Sequence, residues 1–287
     1  MRQRPASPCG VIHLRTVSTK GTLDGDGFPF AVPAVRALRE QPLAFTTPVT
    51  FFVGENGSGK STVMEGVAAA AGLPTVGSAE LRDDATLAAA RRLGAAFQLT
   101  WTARTHRGFF LRAEDFFGFS KALARQRMEL GERLQEIEKE YEGRSAFAKG
   151  LAALPVGSSL ADMTRRYGTD LDANSHGQSF FRVFQNRFVP GGLYLMDEPE
   201  APLSPQSQLA LIAMLHDMSH EHNAQFVIAT HSPILLAFPG ATIFSFDEIP
   251  LRTVAYEELP HVSLTRDFLN SPARYLRHLT STAASSS

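Results

Sequence analysis

VTFFVGENGSGKST, residues 49–62, decides how this chain is read. Four apolar residues and Thr50, three of the five β-branched, fit a buried strand, and the run stops abruptly at Gly54. Gly54, Gly57 and Gly59 then supply a chain that can turn tightly. Lys60, Ser61 and Thr62 open a second pattern, STVMEGVAAAAG, which has helical composition and a glycine stop at Gly72. The spacing G-x-x-x-x-G-K-S is met at every required position from Gly54 to Ser61. A strand, a glycine-rich turn and a helix start point successive backbone N–H groups into one concavity, which suits a phosphate. Gly54, Glu55, Asn56, Gly57, Ser58, Gly59, Lys60, Ser61 and Thr62 are therefore the candidate phosphate-binding residues. Lys60 is expected to reach the β- and γ-phosphates, Ser61 to ligate Mg²⁺, and Thr62 to approach the α-phosphate.

Working outward, the next informative stretch is LYLMDE, an apolar run that stops at Asp197 and Glu198. A strand ending in Asp is suited to hold Mg²⁺, directly or through water, so Asp197 is assigned to the metal with Ser61. Glu198, one residue beyond, is assigned to polarising an attacking water. Strands such as AQFVIAT and ATIFSFDE alternate with helical patterns such as SPQSQLALIAMLHDMSHEH, where Ser204 is the expected N-cap and Pro205 sits in the first turn. This alternation predicts an α/β fold with a largely parallel sheet. VIHLRTV (11–17), GAAFQLTWTA and GFFLRA (108–113) add three further strands, and residues 1–10 read as a loose arm.

Composition bounds the functions. With 287 residues, 44% of them hydrophobic, the chain can bury a core without covalent staples. A net charge of −1 argues against a general electrostatic grip on DNA or anionic membrane. The single cysteine, Cys9, excludes an intrachain disulfide. The opening residues lack an apolar signal core, and no window approaches the length of a membrane span, so a cytoplasmic protein with no intrinsic membrane segment is expected. Residues 114–150 are helical in composition and densely charged with both signs. Glu129 and Arg133 are spaced as helical neighbours. The segment is either a solvated helix face or a docking surface for a partner. VGSSLADMTRRYGTDLDANSHGQ reads as a loop-rich lead into the helix SFFRVFQNRF.

The ordered set of motifs resembles the ATP-binding-cassette ATPases. Beside the phosphate loop and the acidic pair stands Asn174-Ser175-His176-Gly177-Gln178, similar to that family's signature loop. Glu200-Ala201-Pro202-Leu203-Ser204 stands where the D-loop follows the acids, and His231 stands where the switch histidine lies. The order matches over about 220 residues. The chain also resembles a group of small stand-alone bacterial AAA/ABC-like ATPases through Gly108–Glu114, Ser175–Ser179 and Pro272–Leu279. There are departures. His176 replaces a glycine and either contacts phosphate or packs; Asn174 replaces a leucine. No glutamine occupies the Q-loop place, where Arg112 and Glu114 stand instead, and Gln98 falls in an expected strand. Phe28 and Phe30 are candidates for an adenine-stacking ring, with core packing the plainer reading of each.

The resemblance implies a P-loop NTPase fold with a cassette-type core sheet flanked by helices, and a helical lobe inserted at about 114–190. It implies one ATPase domain over residues 1–280, while the low-complexity composition of the tail leads to the expectation that residues 281–287 are disordered. It further implies ATP and Mg²⁺ as cofactors, catalysis by Glu198, His231 and Lys60, and a signature contact through Ser175, Gly177 and Gln178 to ATP held by a second copy. Such a protein is an ATP-closed homodimer switch acting on an unidentified protein or nucleic-acid partner. The alternative is the nucleotide-binding subunit of a membrane transporter, against which the missing Q-loop glutamine counts. A purely regulatory ATP-binding module is a third reading, against which the intact acidic pair counts.

Overall fold

The computed structural model describes residues 10–21, 27–76, 88–167, 181 and 184–280. Two sheets organise it. The larger has six strands in the order β5-β6-β7-β3-β8-β9. These are β3 (Val49–Val53), β5 (Gly108–Arg112), β6 (Leu193–Asp197), β7 (Gln225–Ala229), β8 (Thr242–Ser245) and β9 (Arg252–Thr253). All neighbours are parallel except β8 and β9. The smaller sheet is antiparallel, in the order β2-β1-β4, from β1 (Leu14–Thr19), β2 (Leu43–Ala44) and β4 (Phe97–Trp101).

Strands β3, β6 and β7 are buried at every position because the large sheet is covered on both faces. Alternate residues of β3 serve different cores. Phe52 packs with Phe45, Phe244 and Phe246 on the face shared with the small sheet. Phe51 packs with Phe238 on the opposite face, where α7 (Pro205–His220) and α8 (Pro233–Leu236) lie. The two sheets are stitched by Gln225. Its fully buried side chain accepts from the Leu14 N–H at 2.7 Å and donates to the Leu14 carbonyl at 2.9 Å. Both ends of a buried amide are thereby satisfied, which removes the cost of burying it.

The helix α2 (Lys60–Ala71) ends at Gly72, whose left-handed conformation lets its N–H cap the carbonyls of Ala68 and Ala69. Its neighbour α3 (Ala88–Ala96) approaches closely; a Cβ on Gly94 would stand 2.7 Å from the Ala69 Cβ. Gly94–Ala96 thus end a helix, whereas the sequence suggested the start of a strand. α1 (Pro33–Glu40), β2, α3 and β9 were not foreseen, and β1 begins at Leu14 rather than Val11.

The charged segment forms a hairpin of α4 (Ala113–Glu140) and α5 (Ala146–Tyr167). The second helix runs through residues expected to be loop, across Pro155. The hydroxyls of Ser158 and Ser159 both donate back to the Pro155 carbonyl at 2.9 Å, so the serines bond within the helix and do not break it. Cross-links to α4 hold it: Lys149 to Glu138 at 3.0 Å, and Arg127 to the Thr164 hydroxyl at 2.8 Å. Arg133 pairs with Glu136 and Glu140, while Glu129 pairs with Arg125, so the anticipated Glu129–Arg133 pair is replaced by its neighbours. Among the side chains described over residues 124–165, Ile137 alone is buried, and Phe147, Leu151 and Leu154 stand exposed.

Residues 184–187 form a helical turn, α6. Phe184 and Phe188, on and just after it, stack at 5.1 Å beneath the large sheet. α9 (Pro260–Asn270) and α10 (Pro272–Thr280) follow β9. Among the described residues no helix is long and apolar enough to cross a membrane. The expected signature residues Ser175, Gly177 and Gln178, with their neighbours Asn174 and His176, lie outside the described residues, as do the arm at 1–9 and the tail at 281–287.

Candidate nucleotide-binding site

The parallel strands bring their carboxyl ends to one edge, the usual place for a ligand in an open α/β sheet. β3 delivers the glycine-rich loop. β6 delivers Asp197 and Glu198, β7 delivers Thr230 and His231, β8 delivers Asp247, and β5 delivers Arg112. The registry is tight: Arg112 is level with Asp197, Asp197 with Ala229, and Ala229 with Phe52.

Two glycines of the loop are required by geometry. Gly54 has φ 146°, and a Cβ there would stand 3.0 Å from both the Asp247 Oδ1 and the Ser58 Oγ. Gly59 has φ 100°, and its Cβ would stand 2.6 Å from Val32 Cγ1. Lys60 is 5% exposed and closes the loop on itself, donating to the carbonyls of Gly54 at 2.5 Å and Glu55 at 3.0 Å. The Ser61 side chain stands near enough to Asp197 to favour its ionised form. Glu198 turns out of the strand in the left-handed region at φ 49°, with its N–H bonded to the Ala229 carbonyl at 2.9 Å. Its carboxylate stands 3.8 Å from the His231 Nε2.

A family model described as an AAA domain matches residues 34–87, the stretch that runs from α1 through the phosphate loop and α2. The fold around that stretch is α/β, with helices packed on a largely parallel sheet. No relative was found among curated proteins. Among solved structures, the chain is similar to a nucleotide-free ATP-binding cassette from an ABC transporter. The identity is 17%, with 88% of this chain and 97% of that chain covered and a TM-score of 0.43. It is also similar to an Smc head domain from Pyrococcus furiosus with an extended coiled coil, bound to the C-terminal domain of ScpA. There the identity is 12%, the coverage 84% and 96%, and the TM-score 0.43. A dimeric ATP-binding cassette bound to ADP and phosphate is 16% identical, over 85% of this chain and 98% of its own, with a TM-score of 0.39.

Two cavities flank the glycine-rich loop. One, of about 360 Å³, is lined by Phe28, Val32, Gly59, Lys60, Ser61 and Thr62. Phe28 is 60% exposed on its rim, whereas Phe30 is buried in the core. Core packing therefore holds for Phe30 and fails for Phe28, leaving Phe28 as the available flat surface. The other cavity, of about 680 Å³, is lined by Gly54, Glu55, Asn56, Glu198, His231, Asp247 and His261.

The electrostatics are those of a site built for charge. Burial pushes the Asp197 carboxyl up to about 6, with the Ser61 side chain opposing that rise and the Glu198 charge adding to it. Burial pulls the Lys60 ammonium below the usual lysine value, against the attraction of Asp197, Glu198 and Asp247. A buried carboxylate beside a serine hydroxyl is a set of hard oxygen donors, and these fit a Mg²⁺ ion that also binds phosphate oxygens. Glycines that leave no room for a Cβ, a buried lysine and a loop at a helix start fit a polyphosphate.

Several residues matter that the sequence did not mark for these roles. Glu200, noted only as part of a D-loop, accepts from the Thr230 hydroxyl at 2.7 Å and from the His231 N–H at 2.8 Å. Gln208 continues the link, accepting from the Ser232 hydroxyl at 2.6 Å and donating to the Leu203 carbonyl at 3.1 Å. Asp247 accepts the Glu55 N–H, and its signal was present: FSFD is an apolar run ending in an acid, as LYLMD is. Arg112 pairs with Glu65 of α2 at 3.5 Å and is the N-cap residue of α4. No local pattern marks His261.

Proposed function

We propose that this chain binds ATP with Mg²⁺ and hydrolyses it as a cassette-type ATPase, with two copies closing around two nucleotides. The observation that carries the reading is the buried Lys60, bonded to the Gly54 and Glu55 carbonyls of the loop, at the same sheet edge as the buried strand-end carboxyl of Asp197. Ser61 and Asp197 would hold the Mg²⁺ ion, which when bound offsets charge on the β- and γ-phosphates.

The remaining chemistry belongs to the chain itself. The loop N–H groups from Glu55 to Thr62 cradle phosphate oxygens. Lys60 exchanges its two carbonyl partners for phosphate oxygens, a trade of neutral for charge-assisted hydrogen bonds. Glu198 accepts a hydrogen bond from water and orients it toward the γ-phosphorus. The water oxygen bonds to phosphorus as the bond to the ADP oxygen breaks. His231, 3.8 Å from the Glu198 carboxylate, steadies the γ-phosphate from the β7 side. Phe28 offers a face for adenine.

The homodimer follows from the motif order read in the sequence, with Ser175, Gly177 and Gln178 completing the site of the opposite copy. Closure under two-fold symmetry would make each copy both donor and acceptor, and loss of the γ-phosphate would release it. The missing Q-loop glutamine, with Arg112 in that region, favours a switch acting on a protein or nucleic-acid partner over a transporter subunit.

The test is light scattering on Glu198→Gln with and without Mg-ATP, beside wild-type turnover at several protein concentrations. Doubled mass with ATP, and activity rising faster than linearly with protein, support the closed dimer. A monomer that still hydrolyses ATP removes the trans-acting signature loop and leaves the phosphate loop standing alone.

A further inference from the structure

Two imidazoles line the larger cavity. His231 follows β7, and His261 follows Pro260 in the first turn of α9. Their ring centroids are 6.4 Å apart, with planes at 67°. The Nε2 atom of each is buried and has no hydrogen-bond partner. Leaving one such nitrogen unpaired costs on the order of 1–3 kcal/mol, so two at one cavity mark a place where a ligand completes the bonding.

The neighbouring groups do not complete it. Asp247 is engaged with the Glu55 N–H, and Glu198 is 3.8 Å from His231, beyond hydrogen-bond reach. Burial lowers the pKa of His261, and the His231 ring adds to this, which favours a neutral ring with one N–H to donate.

The place of the cavity indicates the ligand. Thr62 and Phe28, on the nucleoside side, line the smaller cavity. The larger one is walled by the first residues of the phosphate loop, His231 and Glu198; Glu198 also lines the smaller cavity beside Lys60 and Ser61, so the terminal phosphate belongs where the two cavities meet. We infer that His261 is a second imidazole contact to the terminal phosphate of bound nucleotide, so that the site reads this group from α9 as well as from β7. The inference rests on the ATP reading of the same site. It adds to that reading a residue 30 positions beyond His231, on an element outside the β-strand framework that carries the other contacts.

The test compares binding of Mg-AMPPNP and Mg-ADP by calorimetry in wild type, His261→Ala and His261→Gln. Loss of one hydrogen bond to a charged group predicts that His261→Ala binds AMPPNP roughly tenfold more weakly and ADP within about twofold of wild type. His261→Gln, whose amide keeps a donor, recovers part of the loss. Melting temperatures without nucleotide report any purely structural role, and the glutamine variant carries the test if the alanine variant fails to fold. Equal affinities for AMPPNP in all three proteins, or equal losses for AMPPNP and ADP, overturn the inference while leaving the ATP site intact. Wild-type protein that binds neither nucleotide overturns both readings.

Discussion

The Asp247 carboxylate accepts the backbone N–H of Glu55 at 2.6 Å, so the end of β8 holds the first turn of the phosphate loop. Ser245 supports this carboxylate through the Asp247 N–H, which donates to its hydroxyl at 3.3 Å. The loop is therefore shaped from the neighbouring strand as well as by its own glycines. Asp247→Ala leaves the Glu55 N–H without its charged partner. A bond of this kind is worth about 1.5–3 kcal/mol, so the affinity for Mg-ATP should fall roughly 10- to 100-fold. Asp247→Asn keeps an acceptor and should lose less. Calorimetric titration of both variants checks this, and unchanged affinity would mean that the glycines suffice.

Glu200 acts on His231 through the backbone. One carboxylate oxygen takes both the Thr230 hydroxyl and the His231 N–H, fixing the turn that presents the imidazole. Glu200→Ala should lower kcat by about 10- to 100-fold with KM changed only a few-fold, because misplacing a group needed at the transition state spares ground-state binding. Glu200→Gln retains an acceptor and should sit between the two. A KM effect as large as the kcat effect would place Glu200 in nucleotide binding instead.

The raised pKa of Asp197 predicts how nucleotide-free protein responds to pH. Below about pH 4 the carboxyl is protonated in folded and unfolded chains alike, and it costs nothing. Between about 4 and 6 the folded chain keeps a proton that the unfolded chain has released, so stability falls as pH rises through this window. Above 6 the whole penalty is present, about 3 kcal/mol at most. Asp197→Asn removes it, so without Mg²⁺ or nucleotide the variant should melt higher than wild type at pH 8, and the two should converge near pH 4. Parallel melting curves across that range would contradict the assignment.

Glu198 sits at φ 49°, a conformation costing a side-chain-bearing residue on the order of 1–2 kcal/mol. Glu198→Gly should relieve it, raising the melting temperature by about 2 °C while abolishing turnover. Thermal scanning beside a phosphate-release assay measures both effects. A melting temperature below wild type would show that the carboxylate itself contributes more than the strained backbone costs.

The strands that carry the site were legible because each is an uninterrupted apolar run ending in a residue of different chemistry. VTFFV ends at glycine, LYLMD at acids and FVIA before Thr230 and His231. α7 was legible from Ser204 and Pro205, and the Ser204 hydroxyl does accept the Ser207 N–H at 3.2 Å. α1 went unread because it lies between Pro33 and Pro42 with no side-chain cap to mark its start. α5 went unread past Pro155 because serine and glycine there look like loop, while contacts with α4 keep them helical. Glu200, Asp247 and His261 share a cause. Each acts on a residue between 30 and 192 positions away in the chain, a distance that only the folded sheet closes.

The helical hairpin has one mechanical consequence. α4 spans 28 residues, about 42 Å, and it springs from Arg112, which is level with Asp197 and bound to Glu65 of the helix that follows the phosphate loop. Its fulcrum is thus a single residue anchored to both walls of the nucleotide site. A tilt of about 5° at that pivot swings the far end through roughly 4 Å, enough to break or make a side-chain contact there. Small changes at the fulcrum are in this way geared up into displacements of several ångströms at the far end of the hairpin.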